Sequence, residues 1–205
     1  MCGFPPTEEL SLFAQVLHHQ WGIHEAAEVV TARRAEDVNA ATIVGAKTVH
    51  FDFLDCIYRR GKNGDWLYSD VFAPPHEDEV DLPARIAESI SGRLKPDDNL
   101  VCQLALGSHL DHVLVCRAVE LLQRPILYDV DIPYLFNFPE ELALKTAGMK
   151  ETVHTVSEAG LSLWQDAIAA YTSQLGMLFE SPEAKRAKIH QYWSGNSGIR
   201  LWSFA

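Results

Sequence analysis

Leu100-Val101-Cys102-Gln103-Leu104-Ala105-Leu106, followed at once by Gly107-Ser108-His109-Leu110-Asp111-His112, is the stretch on which the fold turns. The first seven residues are apolar apart from Gln103 and stop at a glycine, which reads as a buried strand. From His109 to Gln123 the apolar positions take helical spacing, so a strand opens into a helix at two histidines and a carboxylate. His109 and His112 are three apart and share a face of the first helical turn. Asp111 is close enough to orient a ring or a bound water. This set of residue types suits metal-assisted hydrolysis. It supplies one or two metal ligands, whereas hydrolytic zinc usually takes about three from protein.

Outward from this point the same alternation recurs. Ile126 to Val130, Thr152 to Val156 and Val49 to Leu54 read as strands. Helical patterns cover Glu8 to Trp21, stopped by Gly22, and Glu25 to Val44, with Gly45 as C-cap. A third helix is expected from Asp81 to Leu94, with Asp81 as N-cap and Pro83 in its first turn. Two more follow, from Ser157 to Phe179 and from Pro182 to Tyr192, and residues 55 to 80 read as a long surface loop. Apolar strands alternating with helices predict an α/β fold, a Rossmann-like three-layer sandwich around a mostly parallel sheet. In such sheets ligands bind beyond the carboxyl ends of the strands. His109 and His112 lie just past one such end, and Asp55 and Asp129 to Asp131 lie at others. The chain opens with a loop and two helices before any strand, so an obvious first βα unit is lacking.

At 205 residues the chain suits a single domain with a sizeable core. A net charge of −11 argues against a nucleic-acid or anionic-membrane surface, which would need clustered Lys and Arg. No segment has the apolar length of a membrane span, so no membrane insertion is expected. The four cysteines, Cys2, Cys56, Cys102 and Cys116, form no C-x-x-C pair. Reduced buried thiols in a cytoplasmic setting are the expectation. The apolar tail Ile199-Arg200-Leu201-Trp202-Ser203-Phe204 is expected to dock on the body or on a partner subunit, which leaves a homo-oligomer open.

His109-Leu110-Asp111-His112, with its flanking strand and helix, resembles the PIG-L/LmbE-like family of zinc-dependent N-deacetylases. Other pieces match in order along the chain. Arg33-x-x-Glu36 before Val44-Gly45 is similar to the family's R-x-x-E helix, and Phe53-Leu54-Asp55 with Tyr58-Arg59 to its strand end carrying an Asp. Asp131-Ile132-Pro133-Tyr134 resembles its acidic-x-Pro-Tyr turn, and Tyr171-Thr172-Ser173-Gln174 its late helix with Tyr-x-Ser-Gln. The family's opening strand ends in His-x-Asp-Asp, which supplies a His and an Asp to zinc and a second Asp as general base. That segment has no match here, and the chain is expected to be an N-terminally shortened deacetylase domain. Pro75-His76-Glu77-Asp78-Glu79 is a superficial likeness in a loop, and reads as a solvated acidic loop.

The resemblance implies that His112 ligates Zn2+, that His109 stabilises the oxyanion and protonates the leaving amine, and that Asp111 holds a histidine in its working tautomer. It implies that Arg33 and Asp55 hold substrate, the alternative for Arg33 being an ion pair with Glu36 or Asp37. The expected activity is removal of an N-acetyl group from an amino sugar or glycoconjugate such as an N-acetylglucosamine derivative, a small-molecule substrate. Two alternatives stand beside it. One is a catalytically incomplete member acting as a ligand- or partner-binding module. The other is an unrelated metallohydrolase built from His76, His109, His112 and nearby carboxylates.

Overall fold

The computed structural model describes residues 3–196 and 198–204; Cys2 lies outside the described residues. In chain order the regular elements are α1 (Leu12–Trp21), α2 (Ala26–Ile43), α3 (Leu82–Ser91), β1 (Leu100–Gln103), α4 (Leu110–Glu120), β2 (Ile126–Asp129), α5 (Tyr134–Asn137), α6 (Glu141–Lys145), β3 (Lys150–Thr155), α7 (Glu158–Ala169), α8 (Thr172–Leu178), α9 (Pro182–Asn196) and β4 (Gly198–Ser203). Among the described residues no helix is long and apolar enough to cross a membrane. The chain divides into two compact units, Met1–Arg59 with Thr155–Gly198, and Arg60–His154 with Ile199–Ala205.

The first unit is helical. Ser11 caps α1 by accepting from the Ala14 amide, and Gly22 ends it at φ +70°. At the end of α2, Gly45 takes the left-handed conformation and donates to Thr42 O, while Ala46 donates to Ala41 O, the paired bonds of a Schellman cap. Buried Val29, Val30, Glu36 and Ala40 lie along α2, which packs against α7 and α8. The Glu36 carboxylate accepts from Thr172 Oγ1 at 2.9 Å, Ser173 N at 2.6 Å and Ser173 Oγ at 2.8 Å. The R-x-x-E and Tyr-x-Ser-Gln pieces thus meet in one buried carboxylate–hydroxyl lock. Two expectations differ here. Val49 to Leu54 forms no strand; among the described residues its one backbone pairing to a distant segment is Gly3 N to Phe53 O at 2.9 Å, and a strand needs a neighbour to bond with. The single helix expected from Ser157 to Phe179 breaks into α7 and α8 around Tyr171 (φ −83°, ψ 59°).

The second unit holds a four-stranded sheet in the order β1-β2-β4-β3. β1 and β2 run parallel with Leu100 opposite Ile126, and β4 pairs antiparallel with β2, Trp202 opposite Tyr128. The sheet is therefore mixed, where a mostly parallel one is expected from the helix–strand alternation. The reason is the C-terminal tail. Its apolar residues do not merely dock; they enter the sheet as β4 between β2 and β3, burying Leu201 and Trp202. β1 is shorter than the apolar run and alternates, with Leu100 and Cys102 buried and Val101 exposed. On α4, Leu110, Leu114 and Ala118 are wholly buried at a four-residue spacing and face α3 and β1. Asp81 precedes α3 but makes no side-chain cap bond.

Candidate functional site

Between β1 and α4 the backbone makes a tight turn with Ala105 at φ 54°, Gly107 at 71° and Ser108 at 58°. Left-handed conformations cost non-glycine residues about 1–2 kcal/mol each, so this turn must be held from outside. Three side chains hold it. Asp131 Oδ2 accepts from Leu106 N at 3.0 Å, Glu141 Oε2 accepts from Gly107 N at 3.0 Å, and Lys145 Nζ donates to Ala105 O at 2.8 Å. Glycine is required at 107 twice over, since a Cβ there would also fall 2.7 Å from the Phe138 ring and 2.9 Å from Tyr134 Cδ1.

The turn delivers His109 as the N-cap of α4, one residue ahead of the helix. Its Nδ1 accepts from the Asp111 amide at 3.2 Å. An amide N–H can only donate, so Nδ1 is bare and the neutral ring carries its proton on Nε2. His112, one turn on, is the reverse. Its Nδ1 lies 2.8 Å from Asp131 Oδ1, an acceptor whose side chain is 2 % exposed. Nδ1 of His112 therefore bears a proton, and in the neutral ring Nε2 holds the lone pair. The two rings sit 4.8 Å apart, centre to centre. One is set to donate a hydrogen bond through Nε2 and the other to coordinate or accept through Nε2.

Asp131 thus performs two tasks, bonding His112 with one oxygen and the strained turn with the other. The carboxylate that bonds His112 is Asp131, 19 positions further along the chain. Asp111 itself is buried in the first turn of α4. At the end of β2, Asp129 is pushed up to about 6 by burial and then by the charge of Asp131. The turn after it, with a cis Ile132–Pro133 peptide, carries Tyr134, whose ring stands 5.3 Å from His112 and 6.3 Å from His109. Cys102 and Cys116 are free thiols with sulfurs 3.7 Å apart. The bond between them and burial raise the Cys116 thiol far above its usual range, which suits packing and not nucleophilic chemistry.

His76, also in this unit, caps the Glu77–Glu79 turn by accepting from Asp78 N at 3.1 Å. The acidic loop around it is largely solvated, as expected, and is tied down at two points. Glu79 is buried and accepts from Tyr68 Oη at 2.6 Å, and Asp78 accepts from Lys62 N. Among the described residues of the second unit, no three His, Cys or carboxylate ligand atoms lie within 4.8 Å of one another. His112 has the donor chemistry of a metal ligand.

Arg33 and Asp55 lie in the first unit and face each other, Nη1 to Oδ2 at 3.6 Å. The ion pair of Arg33 is therefore with Asp55, where Glu36 and Asp37 were the near neighbours in sequence. Asp55 also caps the Cys56–Tyr58 turn through Ile57 N. The Arg33 guanidinium lies 5.4 Å from the Trp21 ring centre. Beside them is a cavity of about 10 Å³, room for roughly one water, reached by Tyr58 and Val29. Burial, and next the Asp55 charge, push the Tyr58 phenol up. Its oxygen lies 2.6 Å from His18 Nε2; His18 Nδ1 donates to His24 O, so Tyr58 donates to His18.

No protein-family model matches the sequence, and no curated protein does. Solved structures do match. The zinc-inhibited form of teicoplanin deacetylase Orf2 is 24% identical at a TM-score of 0.77, over 98% of this chain and 83% of that one. A deacetylase–bog complex from the teicoplanin biosynthesis pathway is 26% identical at 0.79, over 98% and 82%. The A40926 pseudoaglycone deacetylase Dbv21 is 24% identical at 0.74, over 99% and 81%. The fold of this chain is one that these deacetylases also have.

Proposed function

We propose that this chain is a zinc-dependent hydrolase of the PIG-L/LmbE type that removes an N-acetyl group from an amino sugar or glycoconjugate, such as an N-acetylglucosamine derivative. The observation that carries the reading is the opposed hydrogen bonding of the two histidine Nδ1 atoms, one meeting the Asp111 amide and the other the Asp131 carboxylate. An amide hydrolase needs one group that donates to the carbonyl oxygen as it becomes an oxyanion, and another that holds a metal. His109, with its proton on Nε2, meets the first need. His112, with a lone pair on Nε2 and Asp131 behind it, meets the second. Zinc, when bound, would lower the pKa of a coordinated water to about 7 and polarise the amide carbonyl.

The work left to the chain's own residues is orientation and proton delivery. Asp131 fixes the His112 ring and, through Leu106 N, the turn that aims His109. The same His109 Nε2–H would supply the proton that the departing amine needs, and Asp111 N, by donating to Nδ1, keeps that proton on Nε2. Arg33, one-third exposed and flanked by Asp55, offers planar donors for a sugar hydroxyl or carboxylate. Deacetylation of glycoconjugates is further supported by the deacetylases that share the fold. That His112 belongs to no group of three candidate ligands among the described residues favours a second reading, a module that binds the sugar without turning it over.

Zinc binding tests the first reading. Titration of the protein with zinc should give stoichiometric binding that weakens strongly in His112→Ala and is retained in His76→Ala. Absence of binding, or equal binding by His112→Ala, overturns the assignment.

A further inference from the structure

Beside the two histidines lies a ring that no step above uses. Phe72 sits in a loop and is 46% exposed. A lone exposed phenylalanine is ordinary on a protein surface and calls for no explanation. This one is held in place. The residue before it, Val71, offers its carbonyl to Leu110 N at 2.7 Å, satisfying an otherwise orphan amide at the start of α4 next to His109. Its own amide donates to Asp70 Oδ1 at 3.0 Å, an Asx turn. Its ring then meets three others edge-on: His109 at 6.2 Å, Tyr134 at 6.5 Å and Phe138 at 6.4 Å. Tyr134 and Phe138 in turn rest on the Gly107 backbone of the strained turn. One side of Phe72 is thus locked to the histidine turn while the rest of the ring stays in solvent.

We infer that Phe72 is a specificity-determining platform that receives the pyranose ring of the substrate and sets its amide beside His109. This deepens the deacetylase reading and rests on it for the identity of the amide. The chemistry follows from the ring. An aromatic face is electron-rich, and one face of a pyranose presents a patch of weakly positive C–H groups of similar size. The sugar's hydroxyls lie at the rim and remain hydrated, so an open platform suits it. An acyl chain has no polar rim and is better served by an enclosed apolar pocket. Phe72 is open, which selects the sugar.

Binding of methyl N-acetylglucosaminide to the full chain, followed by saturation-transfer NMR and titration, tests this. The pyranose C–H protons should receive saturation. Phe72→Ala and Phe72→Leu should each weaken Kd by about tenfold, the scale of one aromatic contact, and Phe72→Trp should restore it. Leucine keeps the apolar packing and loses only the π face, so a folding defect in the alanine variant does not decide the matter. Failure of the wild type to bind, unchanged Kd in Phe72→Leu, or saturation confined to the acetyl methyl overturns the platform. Acetate release measured on the same sugar separates the two claims. Release with KM unchanged in Phe72→Leu overturns the platform and spares the hydrolase. Phe72-dependent binding without release upholds the platform and overturns the hydrolase.

Discussion

Replacing Asp131 by asparagine removes one negative oxygen and little volume, and its consequences can be worked from the geometry. Both partners of Asp131 are donors, His112 Nδ1–H at 2.8 Å and Leu106 N–H at 3.0 Å. An asparagine has one accepting oxygen and one NH2, so one donor must face another. The side chain is 2% exposed, so solvent does not relieve the conflict. Turning the amide oxygen to Leu106 is the cheaper outcome, because the His112 ring can respond and the backbone amide cannot. The NH2 then points at His112 Nδ1, which must give up its proton to Nε2. Loss of one charge-assisted bond costs about 1.5–3 kcal/mol. The His112 nitrogen set to coordinate becomes a donor, and zinc affinity should fall about 10–100-fold. Long-range 1H–15N spectra of the imidazoles report the tautomer directly. Wild-type His112 should show protonated Nδ1 and His109 protonated Nε2. In Asp131→Asn the His112 pattern should invert while His109 keeps its own. An unchanged His112 tautomer with unchanged zinc affinity would refute the reasoning.

Gly107→Ala should lose at least about 2 kcal/mol, because it combines φ +71° with a Cβ 2.7 Å from Phe138; denaturant titration followed by near-ultraviolet dichroism reads this, and wild-type behaviour would contradict it. Glu36→Ala removes three hydrogen bonds from α8, and hydrogen exchange at residues 172–178 should accelerate while α4 amides stay protected. Equal protection of α8 in both proteins would count against the lock. For Asp129, raised to about 6 from 3.8, the folded state binds the proton more tightly than the unfolded one. Its contribution to stability is therefore present at low pH and lost as pH rises through the window from 3.8 to about 6. Asp129→Asn should flatten the fall in stability across that window, and an identical slope would exclude the assignment.

How much of this was legible in the chain depended on the range of the interaction. The strand–turn–helix around His109 was readable because its cues are local: an apolar run, a glycine, and helical spacing after it. Gly22 and Gly45 marked helix ends for the same reason. What lay beyond reach was pairing at a distance. Ile199 to Ser203 is apolar and was readable as a docking segment, but nothing in its spacing says that it enters the sheet antiparallel beside β2 and so makes the sheet mixed. Val49 to Leu54 has strand composition and no ladder, because composition does not supply a partner. At the site, the two histidines were legible from their spacing. Asp131 was visible as part of an acidic-x-Pro-Tyr turn, yet its bond to His112 spans 19 positions and needs the parallel register of β1 and β2 to form. Glu141, Lys145 and Phe72 carried no motif. The positive φ values of the turn explain why Glu141 and Lys145 gather there.

The central claim is that His109 and His112 are the working pair of an N-deacetylase. Acetate release from an N-acetylglucosaminyl glycoconjugate, with zinc supplied, tests it most directly. Release is expected from the wild type, none from His112→Ala, and a residual rate lowered about 10²–10³-fold in His109→Ala, the usual cost of one oxyanion donor. No release from the wild type, or equal release from the His112 variant, would contradict it.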